Sequence, residues 1–271
     1  MVLSALAFSL MAVCVKHAAV RLPTAEIVLF RALVSAALSA AGLARAGVAP
    51  LGTHRGLLLL RGMFGFAGLH CVFYAVANLP LAEATVLQYL HPIFTALLAW
   101  RFLGEAVGRG VAAGVSLSLL GVLFVAGLPA GDVVLDPFAV GVAVAGAFFS
   151  GCAYVTVRRL SRSEHPLVIV LYFPMVTIPA TLPWVLADPV LPAGLEWFWL
   201  LGVGVMAQIG QVALTRGMQH EPAARATALS YLQVVFAALL GAAFFAEIPG
   251  PATILGAGLI LAGSFAAGRE R

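Results

Sequence analysis

Four polar side chains stand where an apolar chain offers them few partners: Gln88 and His91 in "ATVLQYLHPIFTALLAW", and Ser230 and Gln233 in "ALSYLQVVFAALL". The members of each pair are three residues apart, which places them on one face of a helix. Amide, hydroxyl and imidazole groups on such a face donate and accept hydrogen bonds without a fixed charge. That is the chemistry of holding a small polar molecule. Tyr89 and Tyr231 recur beside the pairs and add two aromatic rings. Two readings compete: the side chains line a cavity, or they join helices by hydrogen bonds worth about 0.6–2 kcal/mol each. The recurring tyrosines favour the cavity, as does Pro92, which would bend its helix where a site needs room.

The elements that carry these residues are membrane spans. Of 271 residues, 62% are hydrophobic and 10% charged, and the mean hydropathy is +1.06. A soluble domain is roughly 45–50% apolar and about 25% charged, so the chain is an integral membrane protein whose surroundings are lipid. With roughly 20 apolar residues per span, ten candidates emerge, at about 1–19, 25–44, 56–78, 81–101, 107–127, 138–158, 166–187, 197–216, 224–246 and 249–267. The breaks are short and bear charge, proline or glycine, which leaves no room for an inserted soluble domain. The first span lacks the basic start of a cleaved signal peptide.

A net charge of +4 does not indicate nucleic-acid binding, because the basic residues lie singly or in small groups between apolar runs. There they orient a membrane protein. With the N-terminus cytoplasmic, the inner face receives Arg45, Arg55, Arg61, Arg101, Arg109, Arg158, Arg159, Arg162, Arg216, Arg225, Arg269 and Arg271. Lys16 and Arg21 are outside, and Arg31 sits near the start of the second span. Trp184, Trp197 and Trp199 cluster near the outer boundary as an aromatic belt. Both termini are therefore expected inside, as an even number of spans requires.

A repeat relates the two polar pairs. Residues 82–105, "AEATVLQYLHPIFTALLAWRFLGE", align without a gap on 224–247, "ARATALSYLQVVFAALLGAAFFAE", with twelve of twenty-four positions identical. Shared apolar bias does not account for the pairing of Thr85 with Thr227, Tyr89 with Tyr231, Phe94 with Phe236 or Glu105 with Glu247. Gly114, Leu117 and Gly121 continue the register against Gly256, Leu259 and Gly263. Five spans form one copy, and five is odd, so the second copy enters the membrane inverted. The expected units are 1–130 and 131–271. Inverted repeats with a site at the midplane are the architecture of secondary transporters.

At this level the chain resembles a known family. Arg31 after "PTAEIVLF", the stretch "YAVANLPLAEATVLQYLHPIFTALLAWRFLGE" and the second copy ending "FFAE" are similar to the drug/metabolite transporter superfamily, specifically its EamA-type ten-helix members. The resemblance covers essentially the whole chain. It implies an all-α membrane protein of two inverted five-helix halves around a central cavity, residence in a bacterial cytoplasmic membrane, and export of amino acids or related small metabolites. One departure is Ala246-Glu247 where the first copy has Gly104-Glu105.

Further polar residues carry open alternatives. Gln208 and Gln211 either face the same cavity or join helices. His70 and Tyr74 share a face of the third span, where His70 is either a proton carrier or a core histidine with its bonds satisfied. Ser150 and Tyr154 form a similar pair on the sixth span. Arg31 either snorkels to the interface, pairs with Glu26, or attracts an anionic substrate group. Pro174, Pro179 and Pro183 predict a kinked span. Mid-membrane carboxylates are absent, so His70 and His91 are the groups there that titrate near neutral pH, and protons are a candidate coupling partner beside facilitated exchange. Walker, HExxH and GxSxG patterns are also absent. Cys14, Cys71 and Cys152 lie in apolar runs without metal-ligand spacing, so no cofactor or metal is expected. The alternative class is an intramembrane enzyme or lipid-handling protein using His91 or His70 as a base, and it gives no reason for inverted copies.

The topology predicts that Ser163→Cys, on a background lacking the three native cysteines, reacts with an impermeant thiol reagent in inside-out vesicles only. Labelling of that variant from outside intact cells would reverse the orientation.

Overall fold

A computed structural model describes residues 1–79, 87–126, 136–245 and 250–269. The described residues form α1 (Val2–Ala18), α2 (Thr24–Ala46), α3 (Arg55–Asn78), α4 (His91–Leu103), α5 (Arg109–Ala126), α6 (Pro137–Leu160), α7 (Pro166–Ala187) and α8 (Glu196–His220). A short α9 (Ala223–Ala228) passes through the 3₁₀ turn Leu229–Tyr231 into α10 (Leu232–Phe245), and α11 (Pro251–Arg269) follows. Local signals set the boundaries. Gly47 and Gly104 end α2 and α4 with positive φ of 63° and 67°, a conformation without Cβ penalty only for glycine. Asp136 accepts hydrogen bonds from the backbone N–H groups of Phe138 and Ala139 and starts α6, with Pro137 in its first turn.

Six stretches are by themselves long and apolar enough to cross a membrane: Thr24–Ala46, Arg55–Ala75, Pro137–Leu160, Pro166–Ala187, Glu196–His220 and Ala223–Phe245. Val2–Ala18, Arg109–Phe124 and Ile254–Ala267 are apolar but shorter. The beginning of the expected span at 81–101 lies outside the described residues. Burial is arranged for lipid: Ala99, Ala147, Ala207 and Ala228 are fully buried, while Trp100, Phe102, Leu239, Ile254 and Phe265 are more than half exposed. In water, apolar surface of that extent would aggregate. Against lipid tails it costs nothing, and small residues inside let the helices approach closely.

The helices pair as α1 with α8, α2 with α7, α3 with α6, α4 with α9 and α5 with α11, the pattern an internal repeat produces. The register is a constant shift of 142, the separation of Tyr89 from Tyr231. It carries the starts of α2 and α5 onto those of α7 and α11, and the ends of α3 and α4 onto those of α8 and α10. A two-fold relation requires reciprocal contacts, and α5 and α11 supply them. A Cβ on Gly114 would lie 2.6 Å from the Gly263 carbonyl oxygen, and one on Gly121 would lie 2.6 Å from that of Gly256. Gly256 and Gly263 are the repeat partners of Gly114 and Gly121, so each contact is the image of the other. The numbering rises along one helix as it falls along the other, so the two run antiparallel. Expected as a kinked span, Pro166–Ala187 is one unbroken helix that contains Pro174, Pro179 and Pro183.

Polar contacts close both ends of the bundle. At one end Glu105 accepts from Nε of Arg158 at 2.6 Å and from the N–H of Ala223 at 2.8 Å, and Arg158 also donates to the Met218 carbonyl. At the same end Glu164 accepts from the backbone N–H groups of Thr53 and His54 at 2.8 and 2.6 Å and from the Thr53 hydroxyl. At the other end Arg21 pairs with Glu196, and Glu26 accepts from the N–H of Val190.

Burial opposes ionisation of Glu164, but the hydrogen bonds from Thr53 and His54 outweigh it and hold its carboxyl below the usual carboxylate range. A depressed carboxyl contributes stability that is present above its unfolded value of 4.5 and is lost as pH falls through the lower folded value. Glu164→Gln is therefore expected to lower the melting temperature of the detergent-solubilised protein at neutral pH, and the deficit to shrink as the buffer is taken to about pH 3. A deficit that stays constant over that range would show that the charge contributes nothing.

Candidate functional site

The site begins where the backbone departs from regular helix. Residues 89–90 form a turn before α4 restarts at His91, and the backbone N–H groups of Leu90 and Ile93 donate to carbonyls three residues back, Leu87 and Leu90. One repeat later the 3₁₀ turn Leu229–Tyr231 interrupts the matching span. In the repeat register the two breaks overlap at Tyr89 and Tyr231. The sequence expectation that Pro92 bends a continuous helix is refined: Pro92 sits in the first turn of α4, where a missing N–H is tolerated. The second copy breaks without a proline.

Tyr89 and Tyr231 meet at these breaks. Their rings stack with centroids 5.5 Å apart, and the Tyr231 hydroxyl donates to the Tyr89 carbonyl at 2.9 Å. Repeat partners can touch one another only near the axis that relates them. The polar pairs therefore converge from both sides on one cavity of about 70 Å³, lined by Gln88, Tyr89 and His91 of the first copy and Ser230 and Gln233 of the second. Ser150 and Tyr154 of α6 and Leu214 of α8 complete it, together with Met1, Ser4, Ala5 and Phe8 of α1. His91 is 6% exposed, its Nδ1 has no partner, and its ring meets Tyr154 edge to face at 5.1 Å.

The other expected site residues lie elsewhere. The Gln208 amide is consumed between helices: its oxygen accepts from Ser35 at 2.7 Å and its nitrogen donates to Ser39 at 2.8 Å, so it joins α8 to α2. The Gln211 oxygen accepts from Arg61 at 2.9 Å. His70 and Tyr74 are exposed on the outer face of α3, with His70 Nδ1 3.1 Å from the Phe66 carbonyl of its own helix and Tyr74 packed edge to face on Phe138. Arg31 lies over the ring of Phe173, 5.1 Å from its centroid.

Two groups of residues escaped the sequence reading. The α1 contribution is one, since Ser4, Ala5 and Phe8 look like any apolar first span. Arg61 is the other. Counted above as a charge of the inner loops, it sits inside α3 at 4% exposure, and the apolar run 56–78 that encloses it was the available signal.

Chemically, the cavity offers hydrogen-bond donors and acceptors between aromatic rings. Among the described residues no group of three His, Cys, Asp or Glu side chains could hold a metal. Ligand pockets usually span about 300–1,000 Å³, so this cavity is contracted and has to widen to admit an organic molecule.

Comparison with known proteins bears on that picture. The EamA-like transporter family matches residues 1–127 and again 137–268. Two strains of Pseudomonas aeruginosa carry a protein described as the pseudopaline exporter CntI, 38% identical over all of this chain and 95% of its own length. Human solute carrier family 35 member G1 is 26% identical over 81% of this chain and 64% of its own. A solved crystal structure with 23% identity superposes with a TM-score of 0.86, covering 98% of this chain and 93% of its own, and shows the fold alone.

Gln233→Leu removes a donor and an acceptor from the cavity while keeping the backbone carbonyl that accepts from Ser9 at 3.0 Å. It is expected to lower transport about ten-fold, the worth of one hydrogen bond of about 1.4 kcal/mol, with folded protein retained in the membrane. Unchanged flux would remove Gln233 from the site.

Proposed function

Because the chain belongs to the EamA-like transporter family, we propose that it is a secondary transporter that exports small polar or amphipathic metabolites, amino acids among them, by alternating access. Membership of this family points to transport rather than to catalysis. The observation that carries the reading is the cavity: hydrogen-bonding residues at repeat-equivalent positions, Gln88 with Ser230 and His91 with Gln233, line one space where both spans break. Broken helices at the midplane between related halves are what alternating access uses. Ten spans arranged as inverted halves, 1–130 and 131–271, would rock about the Tyr89–Tyr231 contact. The printed name of the Pseudomonas relatives, an exporter, supports the direction, and the excess of arginine at one end supports a bacterial cytoplasmic membrane with both termini inside.

In this reading the two closures found at the ends of the bundle are the gates. Glu105 and Arg158 tie α4 to α6 and to the start of α9, and Arg21 with Glu196 ties the α1 end to α8. Both closures being engaged around a cavity of about 70 Å³ would, in this reading, suit a closed state between inward and outward opening. His91 is the mid-membrane candidate for a proton carrier, while its repeat partner Gln233 hydrogen-bonds without titrating. We favour a role for His91 in binding substrate, which its position on the cavity wall supports.

Proteoliposome uptake and efflux of a labelled metabolite panel that includes amino acids and pseudopaline tests this function. At least one compound is expected to move saturably and faster than in empty liposomes. His91→Gln, which copies the other half, is expected to keep flux within about three-fold of wild type, less than the worth of one hydrogen bond. Imposed pH gradients are expected to change neither. Wild-type flux that follows the gradient, together with its loss in His91→Gln, would make His91 the proton carrier instead. No movement of any compound would sink the transport reading.

A further inference from the structure

The cavity wall is built from uncharged groups, yet two cations beside it have no assigned role. Arg31 of α2 and Arg61 of α3 both approach the ring of Phe173 on α7, with their guanidinium carbons 5.1 and 5.4 Å from its centroid. Arg61 is the more enclosed. One nitrogen donates to Gln211 of α8 at 2.9 Å, while its Nε and Nη1 are buried without a partner. No ion pair joins either guanidinium to a carboxylate among the described residues. Glu26, Glu105, Glu164, Glu196 and Glu221 have partners elsewhere.

Holding two unpaired cations together is costly. Arginine keeps its charge inside proteins, an uncompensated buried ion is strongly unfavourable, and the two guanidiniums repel each other. The face of Phe173 attracts both cations, but an uncharged ring neutralises neither. Gly65 lets the ring and the guanidinium pack closely on α3: a Cβ there would lie 2.9 Å from the Phe173 ring and 3.3 Å from Nη1 of Arg61. The pair lies behind the cavity wall, with neighbours in that wall. Tyr154 lies within electrostatic reach of both arginines and on its other side lines the cavity against His91. Gln211 is one turn from Leu214, which lines the same wall.

We propose that Arg31 and Arg61, gathered on Phe173, form an anion subsite of the transport site that binds a carboxylate of the substrate. The substrate class is then a small molecule with a carboxylate at one end and uncharged hydrogen-bonding groups at the other, reaching from Arg61 past Tyr154 to the Gln88, His91, Ser230 and Gln233 wall. The guanidinium fork matches a carboxylate in geometry and charge. Both cations come from the first half of the chain and have Phe173 and Val203 at the equivalent places in the second. The ring and the amide that hold them come from the second half, so a bound carboxylate would sit between parts that move. This assignment rests on the transport reading for its purpose but not for its test.

The test uses the full chain in detergent, with succinate and its uncharged counterpart succinamide as probes at equal ionic strength, read by thermal unfolding. Succinate is expected to raise the melting temperature saturably and succinamide to leave it unchanged. Arg61→Gln and Arg31→Gln are each expected to weaken the succinate response at least about ten-fold, the scale of one charge-assisted contact. Without ligand, Arg61→Gln is expected to melt at or above the wild-type temperature, since it removes an uncompensated charge; a structural arginine would melt lower. If Arg61→Gln fails to fold, the structural role is established for that residue and Arg31→Gln, which is partly exposed, decides the subsite. Equal stabilisation by succinamide or by inorganic phosphate, or wild-type responses in both variants, would overturn the proposal. The two readings fail separately. A compound carried equally by wild type and both variants would remove the subsite and leave transport standing, whereas succinate binding without any flux would remove transport alone.

Discussion

Lipid gives a backbone no hydrogen-bond partners, so every interruption of a helix at membrane depth has to be satisfied from within the protein. That constraint explains why the two breaks coincide. At residues 89–90 and at Leu229–Tyr231 the regular ladder is lost, and other groups take over. The Tyr231 hydroxyl donates to the Tyr89 carbonyl, the Ser230 hydroxyl to the Thr227 carbonyl and, just beyond the second break, the Ser9 hydroxyl of α1 to the Gln233 carbonyl. Each is a hydroxyl from a small or aromatic side chain, which fits where packing is dense. Placing both breaks beside one axis lets one set of partners serve both, and the leftover polar side chains then face a shared space.

The same axis shows where the halves differ, and the differences are chemical. Glycines on α5 and α11 keep reciprocal contacts because close approach of backbones admits no larger residue. At the polar centre the second copy replaces His91 by Gln233 and Gln88 by Ser230, exchanging an imidazole for an amide and an amide for a hydroxyl while keeping hydrogen bonding. At Arg31 the second copy has Phe173, and these two partners touch. Packing positions are thus preserved between copies, whereas positions that line the cavity have diverged.

Most of the architecture was legible in the sequence, because lipid makes apolar runs and loop charges unusually informative and because the repeat doubles the signal. The cavity residues were found the same way: Gln88, His91, Ser230 and Gln233 are polar where the solvent is not, and recurrence fixed their common face. What spacing left open was rotation. Spacing shows that Gln208 and Gln211 share a face but not which neighbour that face meets; Ser35 and Ser39 claim the first and Arg61 the second. His70 satisfies itself on its own helix, so polarity gave no reason to turn inward. Arg61 was misplaced because an arginine near a span end reads as a loop charge, and only the packing of Phe173 and Gln211 around it shows otherwise.

Unequal closure of the two ends follows from burial. Side chains of Arg158 and Glu105 are 12% and 11% exposed, against 47% and 20% for Arg21 and Glu196. An exposed pair is screened by solvent and salt and contributes little. A buried one is different, because separating it strands charges in a poorly solvated place unless water follows. Glu105 also caps the start of α9 through the Ala223 N–H, and Arg158 holds the Met218 carbonyl, so opening that end has to disrupt a helix terminus as well as an ion pair. The Arg21 pair is therefore easier to separate than the Glu105 cluster. Under the proposed export and the expected orientation, the harder closure would be the cytoplasmic one, from which an exported molecule would enter. A ligand that binds there has to supply the difference through contacts made only when the gate has opened, since equal affinity for both states would shift nothing. Under the proposed anion subsite, a carboxylate reaching Arg31 and Arg61 would be a source of such contacts, because it would neutralise charges that no carboxylate pairs among the described residues.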